Sequence, residues 1–246
     1  VGTVTVEDIS KLKRTREFFE RLVSPHIVQN LLDSGEDPFK VDKRRMTVMF
    51  GDLRGFTRFC EGAPPESVRT VFDEFVAVCM EAIDRNAATL DKFVGDQVMA
   101  LFAAPMAHPG HAYQAIRTAV EMQRAMKEIR PRWIERGLVP RPLIDAAPDL
   151  LQLGIGINTG EMTVGMFGSG RSNQYTVLGH HVNLAARLCS NSAGEEILAG
   201  MGTLDDVKQY YEQHPEGFDL AVKFRKRGEI MVKNVADPVP VATVAY

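Results

Sequence analysis

The segment over residues 89–102, TLDKFVGDQVMALF, decides the fold because it contains two apolar runs on either side of a tight turn. Residues 89–93 and 97–102 have the composition of strands, and Val94-Gly95-Asp96 between them has the composition of a turn. The segment therefore predicts a β-hairpin with Asp96 in its turn.

The segments around this hairpin extend the pattern. Residues 45–50 are strand-like, and Pro64-Pro65-Glu66 opens a helix whose apolar residues recur at helical spacing. Residues 111–129 predict a second amphipathic helix, and residues 151–158 and 162–167 predict two more strands. This order predicts an α+β fold with a ferredoxin-like βαββαβ core and a mainly antiparallel sheet.

The C-terminal half is less regular. Four prolines between residues 131 and 148 predict a loop or an irregular excursion. Residues 182–188 predict a third helix, and residues 230–232 and 239–244 predict a closing pair of strands.

Composition narrows the class of protein. Hydrophobic residues make up 45% and charged residues 25% of the 246 residues, which is typical of globular proteins. The net charge of -3 argues against a nucleic-acid partner. Three cysteines lie far apart without a metal-type spacing, and no apolar stretch reaches the ~18 residues of a membrane span. We therefore expect a cytoplasmic location, with the full-length parent either free or tethered to a membrane.

Two acidic residues occupy positions that suit a metal site. Asp52 directly follows the strand over residues 45–50, and Asp96 lies in the hairpin turn. Either residue taken singly is more often an ordinary turn residue, since Asp can hydrogen-bond its own backbone. If the two strands are neighbours, both carboxylates meet at one sheet edge. A Mg²⁺ site that also uses substrate phosphates needs only one or two carboxylates.

The flanks of these residues carry a family resemblance that runs from about residue 45 to the C-terminus. Three blocks, in the family's order, resemble the signature blocks of class III adenylyl and guanylyl cyclase catalytic domains. They are Phe50-x-Asp52-x-x-Gly55-Phe56-Thr57, Lys92-x-x-Gly95-Asp96 and Tyr175-Thr176-Val177-Leu178-Gly179-x-x-Val182-Asn183-Leu184-Ala185-Ala186-Arg187-Leu188.

The resemblance implies an adenylate cyclase reaction, in which the ribose 3′-hydroxyl of ATP attacks the α-phosphate and expels pyrophosphate. It implies two Mg²⁺ or Mn²⁺ ions per active site, with Asp52 and Asp96 as shared ligands and a backbone carbonyl near Leu53 as an addition. Metal ions of this kind acidify the nucleophile and offset phosphate charge, so a separate side-chain base is not obligatory.

The same resemblance implies roles for the substrate-contacting residues. Asn183 orients the ribose, and Arg187, four residues later on one helix face, donates to the α-phosphate. Lys233 corresponds loosely to a lysine that binds the β- and γ-phosphates, although the family often has Lys-Gly where this chain has Lys233-Asn234. A surface strand lysine is an equal alternative for Lys233.

The resemblance also implies that Lys92 and Thr176 stand at the positions that choose the base. Lysine only donates hydrogen bonds, so Lys92 suits the N1 acceptor of adenine and does not suit the N1–H of guanine. The Thr176 hydroxyl can accept from the adenine amine, and it can also donate to the O6 atom of guanine. On this interpretation Lys92 carries most of the discrimination.

The family builds each active site from two protomers, with the aspartates from one and the remaining residues from the other. Because this chain holds every element, we expect a homodimer with two shared sites. Residues 1–40 resemble the end of an upstream sensor followed by a helical transducer, which places the catalytic domain at residues 41–246. The chain is thus interpreted as a piece of a longer protein.

Three alternatives remain at this stage. A guanylate cyclase is disfavoured by Lys92. A non-catalytic regulatory module would be expected to have lost Asp52 or Asp96, and both are present. A diguanylate cyclase or polymerase-type palm shares the coarse element order, but its Gly-Gly-Asp/Glu-Glu-Phe turn is absent from the sequence.

Overall fold

The structure is a computed structural model that describes residues 40–169, 174–217, 219–230 and 238–246. These residues form one eight-stranded sheet with helices on both faces. The strand order is β2-β3-β1-β4-β6-β8-β7, and β5 pairs with β4 off this path. The bounds are β1 Asp42–Leu53, β2 Thr89–Val94, β3 Gln97–Phe102, β4 Leu153–Phe167, β5 Gln174–Leu178, β6 Ile197–Gly200, β7 Lys223–Ile230 and β8 Val239–Ala245.

Strand β1 lies in the interior of the sheet. It pairs with β3 on one side and with β4 along its whole length on the other, from Asp42 opposite Val164 to Leu53 opposite Leu153. Strands β4 and β6 run parallel, and every other pairing among the described strands is antiparallel. The prediction of an α+β fold with a mainly antiparallel sheet is confirmed.

The described helices divide between the two faces of the sheet. They are α1 Phe56–Gly62, α2 Pro65–Arg85, α3 His111–Glu135, α4 Arg141–Ala146, α5 His180–Asn191 and α6 Met201–Gln213. Met49 and Leu53 of β1 face the larger core under α2 and α3, whereas Met46 and Phe50 face a second core that includes α5. Alternation along β1 therefore supplies both cores.

Helix α5 lies unusually close to the sheet, and a glycine permits this approach. A Cβ atom on Gly156 of β4 would overlap the backbone of α5 at Ala185 and Cys189. Helix α5 carries two of the predicted site residues, Asn183 and Arg187. The missing side chain at Gly156 thus determines how deeply that helix sits.

Two expectations in the centre of the chain were wrong. The segment expected to be irregular begins inside α3, which continues through Pro131 to Glu135, and it contains α4. Helix α3 extends because Trp133 is fully buried and its indole N–H donates to Glu74 at 2.8 Å. The two strands expected over residues 151–158 and 162–167 are one strand, β4, because β1 pairs with it without interruption.

The C-terminal region also differs from expectation. The strand that pairs with β8 begins earlier than expected, since β7 covers Lys223–Ile230, and residues 231 and 232 of the expected strand lie outside the described residues. Strand β6 and helix α6 had no predicted counterpart. The proposed connector falls almost wholly on residues 1–39, which lie outside the described residues. None of the described helices is both long and apolar enough to cross a membrane.

Candidate active site

The ends of neighbouring strands bring Asp52 and Asp96 together. Asp52 is the penultimate residue of β1, and Asp96 lies in the two-residue turn between β2 and β3. Because β3 pairs with β1 from Thr47 to Gly51, the hairpin turn lies beside the C-terminal end of β1. The turn itself requires a glycine, since Gly95 has a φ of 61°. The predicted juxtaposition of the two acids at one sheet edge is therefore present.

The two carboxyl groups influence each other's ionisation. Burial and then the neighbouring charge of Asp52 raise the pKa of Asp96 to about 6. Burial also raises the pKa of Asp52, while the Arg54 guanidinium and the Asp96 carboxyl lower it. The Leu53 backbone amide offsets part of this rise in the pKa of Asp96. Two carboxylates held this closely repel one another, and a cation between them would relieve the repulsion.

This donor set fits a divalent cation that retains other ligands. The described residues contain no group of three or more His, Cys, Asp and Glu side chains able to hold a metal by themselves. A pair of carboxylates is instead the protein contribution expected for Mg²⁺ or Mn²⁺ bound together with phosphate oxygens and water. Asp52 and Asp96, with the carbonyl of Leu53, are the residues that would hold it.

Arg54 is a part of the site that the sequence analysis missed. Its guanidinium lies 3.2 Å from the Asp52 carboxylate and donates to the Cys189 carbonyl at 2.8 Å and to Ser192 Oγ at 3.3 Å. It therefore ties the carboxylate pair to the C-terminal end of α5. Its position two residues after Asp52 in the first block was the available signal, but its partners are distant in sequence.

Lys92 and Thr176 lie on different strands and converge on a third residue. The Lys92 Nζ atom lies 3.2 Å from Asp91 Oδ2. Thr176, on β5, is buried. Burial raises the pKa of Asp91, and the neighbouring Thr176 hydroxyl offsets part of that rise. The structure thus brings together the two residues expected to choose the base, and it adds Asp91, which the sequence analysis did not single out.

Asn183 and Arg187 are exposed on α5, one turn apart. Among the described residues, no hydrogen bond or ion pair joins either side chain to the Asp52–Asp96 pair. That separation is what the two-protomer arrangement expects, because those residues would serve the partner's carboxylates. Lys233 lies outside the described residues.

Comparison with known proteins decides the family. Residues 40–241 match the family model described as the adenylate and guanylate cyclase catalytic domain. The chain belongs to this family of cyclase catalytic domains. The match covers the carboxylate pair, the Lys92–Thr176 pair and helix α5.

Among curated relatives of this cyclase domain, the adenylate cyclase of Anabaena cylindrica is 31% identical over 73% of the chain. Adenylate cyclase 1 of Rhizobium meliloti is 29% identical over 81% of the chain. The chain spans about a third of the length of these relatives, 34% and 29% respectively.

Solved structures of both substrate types resemble the cyclase domain. The adenylyl cyclase CyaB from P. aeruginosa is 31% identical with a TM-score of 0.73, covering 84% of this chain and 96% of that one. The guanylyl cyclase Cya2 is 35% identical with a TM-score of 0.68, covering 83% of this chain and 93% of that one. Similarity at this level leaves the choice of base to the residues of the site.

Proposed function

We propose that the chain is the catalytic domain of an adenylate cyclase, which converts ATP into 3′,5′-cyclic AMP and pyrophosphate. The convergence of Lys92 and Thr176 carries this proposal. The Lys92 ammonium can donate to adenine N1 but has nothing to accept the N1–H of guanine. A guanine base in the same position would have its N1–H unpaired, which costs binding energy.

In the proposed reaction the ribose O3′ forms a bond to the α-phosphorus, the bond from that phosphorus to the β-bridging oxygen breaks, and the hydroxyl proton is lost. Asp52 and Asp96 would hold divalent metal ions, whose positive charge would acidify the hydroxyl and offset the phosphate charge. Arg187 stabilises the α-phosphate as negative charge develops, Asn183 orients the ribose, and Lys233 binds the β- and γ-phosphates.

We further propose that the working unit is a homodimer whose two sites are shared. Two exposed apolar residues next to the site support a partner surface: Val94, 64% exposed between Lys92 and Asp96, and Leu178, 51% exposed at the end of β5. The exposure of Asn183 and Arg187 away from the carboxylate pair supports the same arrangement. In the longer protein, residues 1–40 would connect an upstream sensor to the dimer, and the location would be cytoplasmic.

Guanylate cyclase activity is the second candidate, because the guanylyl cyclase Cya2 is 35% identical to this chain. The deciding experiment incubates the purified domain with ATP or GTP and Mn²⁺ at several protein concentrations and quantifies both cyclic nucleotides. We expect cyclic AMP from ATP, with a specific activity that rises with protein concentration. Cyclic GMP formed from GTP in excess of cyclic AMP formed from ATP, or no product while the chain is dimeric, would contradict the proposal.

A further inference from the structure

Asp91 occupies a β-bulge in strand β2. Leu90 pairs with Ala100 of β3 and Lys92 with the adjacent Met99, so Asp91 is an extra residue without a ladder partner. In a regular strand, Asp91 and Lys92 would lie on opposite faces of the sheet. A bulge re-aims side chains locally, and bulges are common beside active sites. Here it accompanies a 3.2 Å approach of the Lys92 ammonium to the carboxylate that precedes it.

The Asp91 side chain is completely buried, with 0% exposure. Neither of its oxygens has a hydrogen bond of good geometry within the described part of the chain. Burial raises the pKa of the Asp91 carboxyl, and the neighbouring Thr176 hydroxyl and Lys92 ammonium offset only part of that rise. Burying a carboxylate with such loose partners costs free energy. Because this carboxylate lies between the two residues expected to choose the base, we consider how it affects recognition of the base.

The chemistry of the hydroxyl gives that role. A threonine hydroxyl has one proton and two lone pairs, whereas an ionised carboxylate only accepts. If Thr176 donates its proton to Asp91, it has only lone pairs left for the base. Such a hydroxyl can accept from the exocyclic amine of adenine and cannot donate to O6 of guanine.

We propose that Asp91 commits the Thr176 hydroxyl to act as a hydrogen-bond acceptor toward the base, which makes it a specificity-determining positioning residue for adenine. This inference rests on the proposed function, and it removes the ambiguity that the Thr176 hydroxyl has in isolation. Lys92 then supplies the donor and Thr176 the acceptor. This pair matches N1 and the exocyclic amine of adenine, and it mismatches both the N1–H and the O6 of guanine.

The test is the variant Asp91→Asn, whose side-chain amide can donate to the Thr176 oxygen and release its proton toward the base. The measured quantity is kcat/KM for ATP divided by kcat/KM for GTP, with inosine triphosphate as a second O6-bearing substrate. We expect this ratio to fall on the order of tenfold, the scale of one hydrogen bond exchanged. Asp145→Asn, at an exposed ion-paired aspartate of α4, is the matched control and should leave the ratio unchanged.

A double-mutant cycle with Thr176→Val separates this role from a structural one. If Asp91 acts through the hydroxyl, Asp91→Asn has little further effect on the ratio once the hydroxyl is gone. An equal effect in both backgrounds would mean that Asp91 acts through Lys92 or the bulge, and would overturn the inference. An unchanged ratio in the single variant would overturn it as well.

Two further measurements keep the inference testable in other circumstances. If Asp91→Asn does not fold, Thr176→Val is compared on ATP and on purine riboside triphosphate, which lacks the amine. The variant should lose the preference for ATP, and a retained preference would exclude Thr176 as the acceptor. If the wild-type domain forms no cyclic nucleotide, the proposed function fails. The inference is then judged by the dissociation constant for ATP divided by that for GTP, a ratio that Asp91→Asn should raise.

Discussion

Replacing Asp96 by Asn should have two effects of opposite sign. Catalysis should be lost, because on the proposed function both carboxylates would hold the metal ions. The metal-free domain should become more stable at neutral pH, because burial and the charge of Asp52 raise the pKa of Asp96 to about 6 from an ordinary value of 3.8. A shift of this size corresponds to about 3 kcal/mol for a fully buried group. Water around this partly exposed pair reduces the expected gain to about 1 kcal/mol.

The assay is thermal and urea unfolding in the presence of a chelator, alongside cyclic nucleotide synthesis with Mn²⁺. A gain of this size in a domain of this length raises Tm by about 2–4 °C. A carboxyl whose pKa is raised by folding costs stability when ionised, so the advantage of the variant should be full above pH 6. It should shrink as the pH falls toward 3.8. Added Mn²⁺ should stabilise the wild type more than the variant.

The matched control is Asp145→Asn, because the Asp145 side chain is 67% exposed and forms an i,i+4 pair with Arg141. It should change neither activity nor the pH dependence of stability. An Asp96→Asn domain that is less stable than wild type in chelator at neutral pH would refute the reasoning. So would an advantage that does not vary with pH.

Three further predictions concern stability and are checked by urea unfolding. Burial lowers the pKa of His111 to about 4 from 6.5, so the free energy of unfolding should fall by up to about 3 kcal/mol as the pH drops through that interval. His111→Gln should flatten the slope, and an unchanged slope would refute this cause. Gly156→Ala forces a methyl group into the α5 backbone at Cys189 and should cost about 3 kcal/mol or more and most of the activity. A variant as stable as wild type would show that α5 does not sit this close to β4. Arg54→Gln removes a charged donor from the Cys189 carbonyl and should lower the free energy of unfolding by about 1–3 kcal/mol. An unchanged urea midpoint would mean that this hydrogen bond does not stabilise the domain.

The parts of the fold that were predictable from sequence depend on local chemistry. The β2–β3 hairpin was predictable because Gly95 is compatible with a tight turn and strand-forming residues flank it. Asp96 followed directly, since it lies in that turn. Asp52 required the further assumption that β1 and β3 are neighbours, which the observed pairing confirms.

The parts that were not predictable depend on contacts between distant residues. Helix α3 continues past Pro131 because Trp133 is buried and hydrogen-bonded to Glu74, 59 positions away in sequence. Strand β4 stays continuous because it pairs with β1 throughout, and its Thr159 hydroxyl lies 2.7 Å from that of Thr47. Local propensity carries no information about either contact.

The site shows the same division. Lys92 was recognisable from its block, but the bulge that places Asp91 beside it is a property of the register between β2 and β3. Asp91 also lies close to Thr176, which is 85 positions later in the sequence. This contact forms only when β5 pairs with β4. Sequence reasoning therefore reached the residues expected to touch substrate and missed those that position them.

The most direct test of the shared-site adenylate cyclase mixes two inactive variants, Asp96→Asn and Arg187→Ala. A mixed dimer has one site that lacks both groups and one site that is complete. Equal amounts with random exchange give mixed dimers in about half of the population, so cyclic AMP synthesis from ATP should return to about a quarter of the wild-type rate. A mixture that contains mixed dimers yet is no more active than its components would contradict the account.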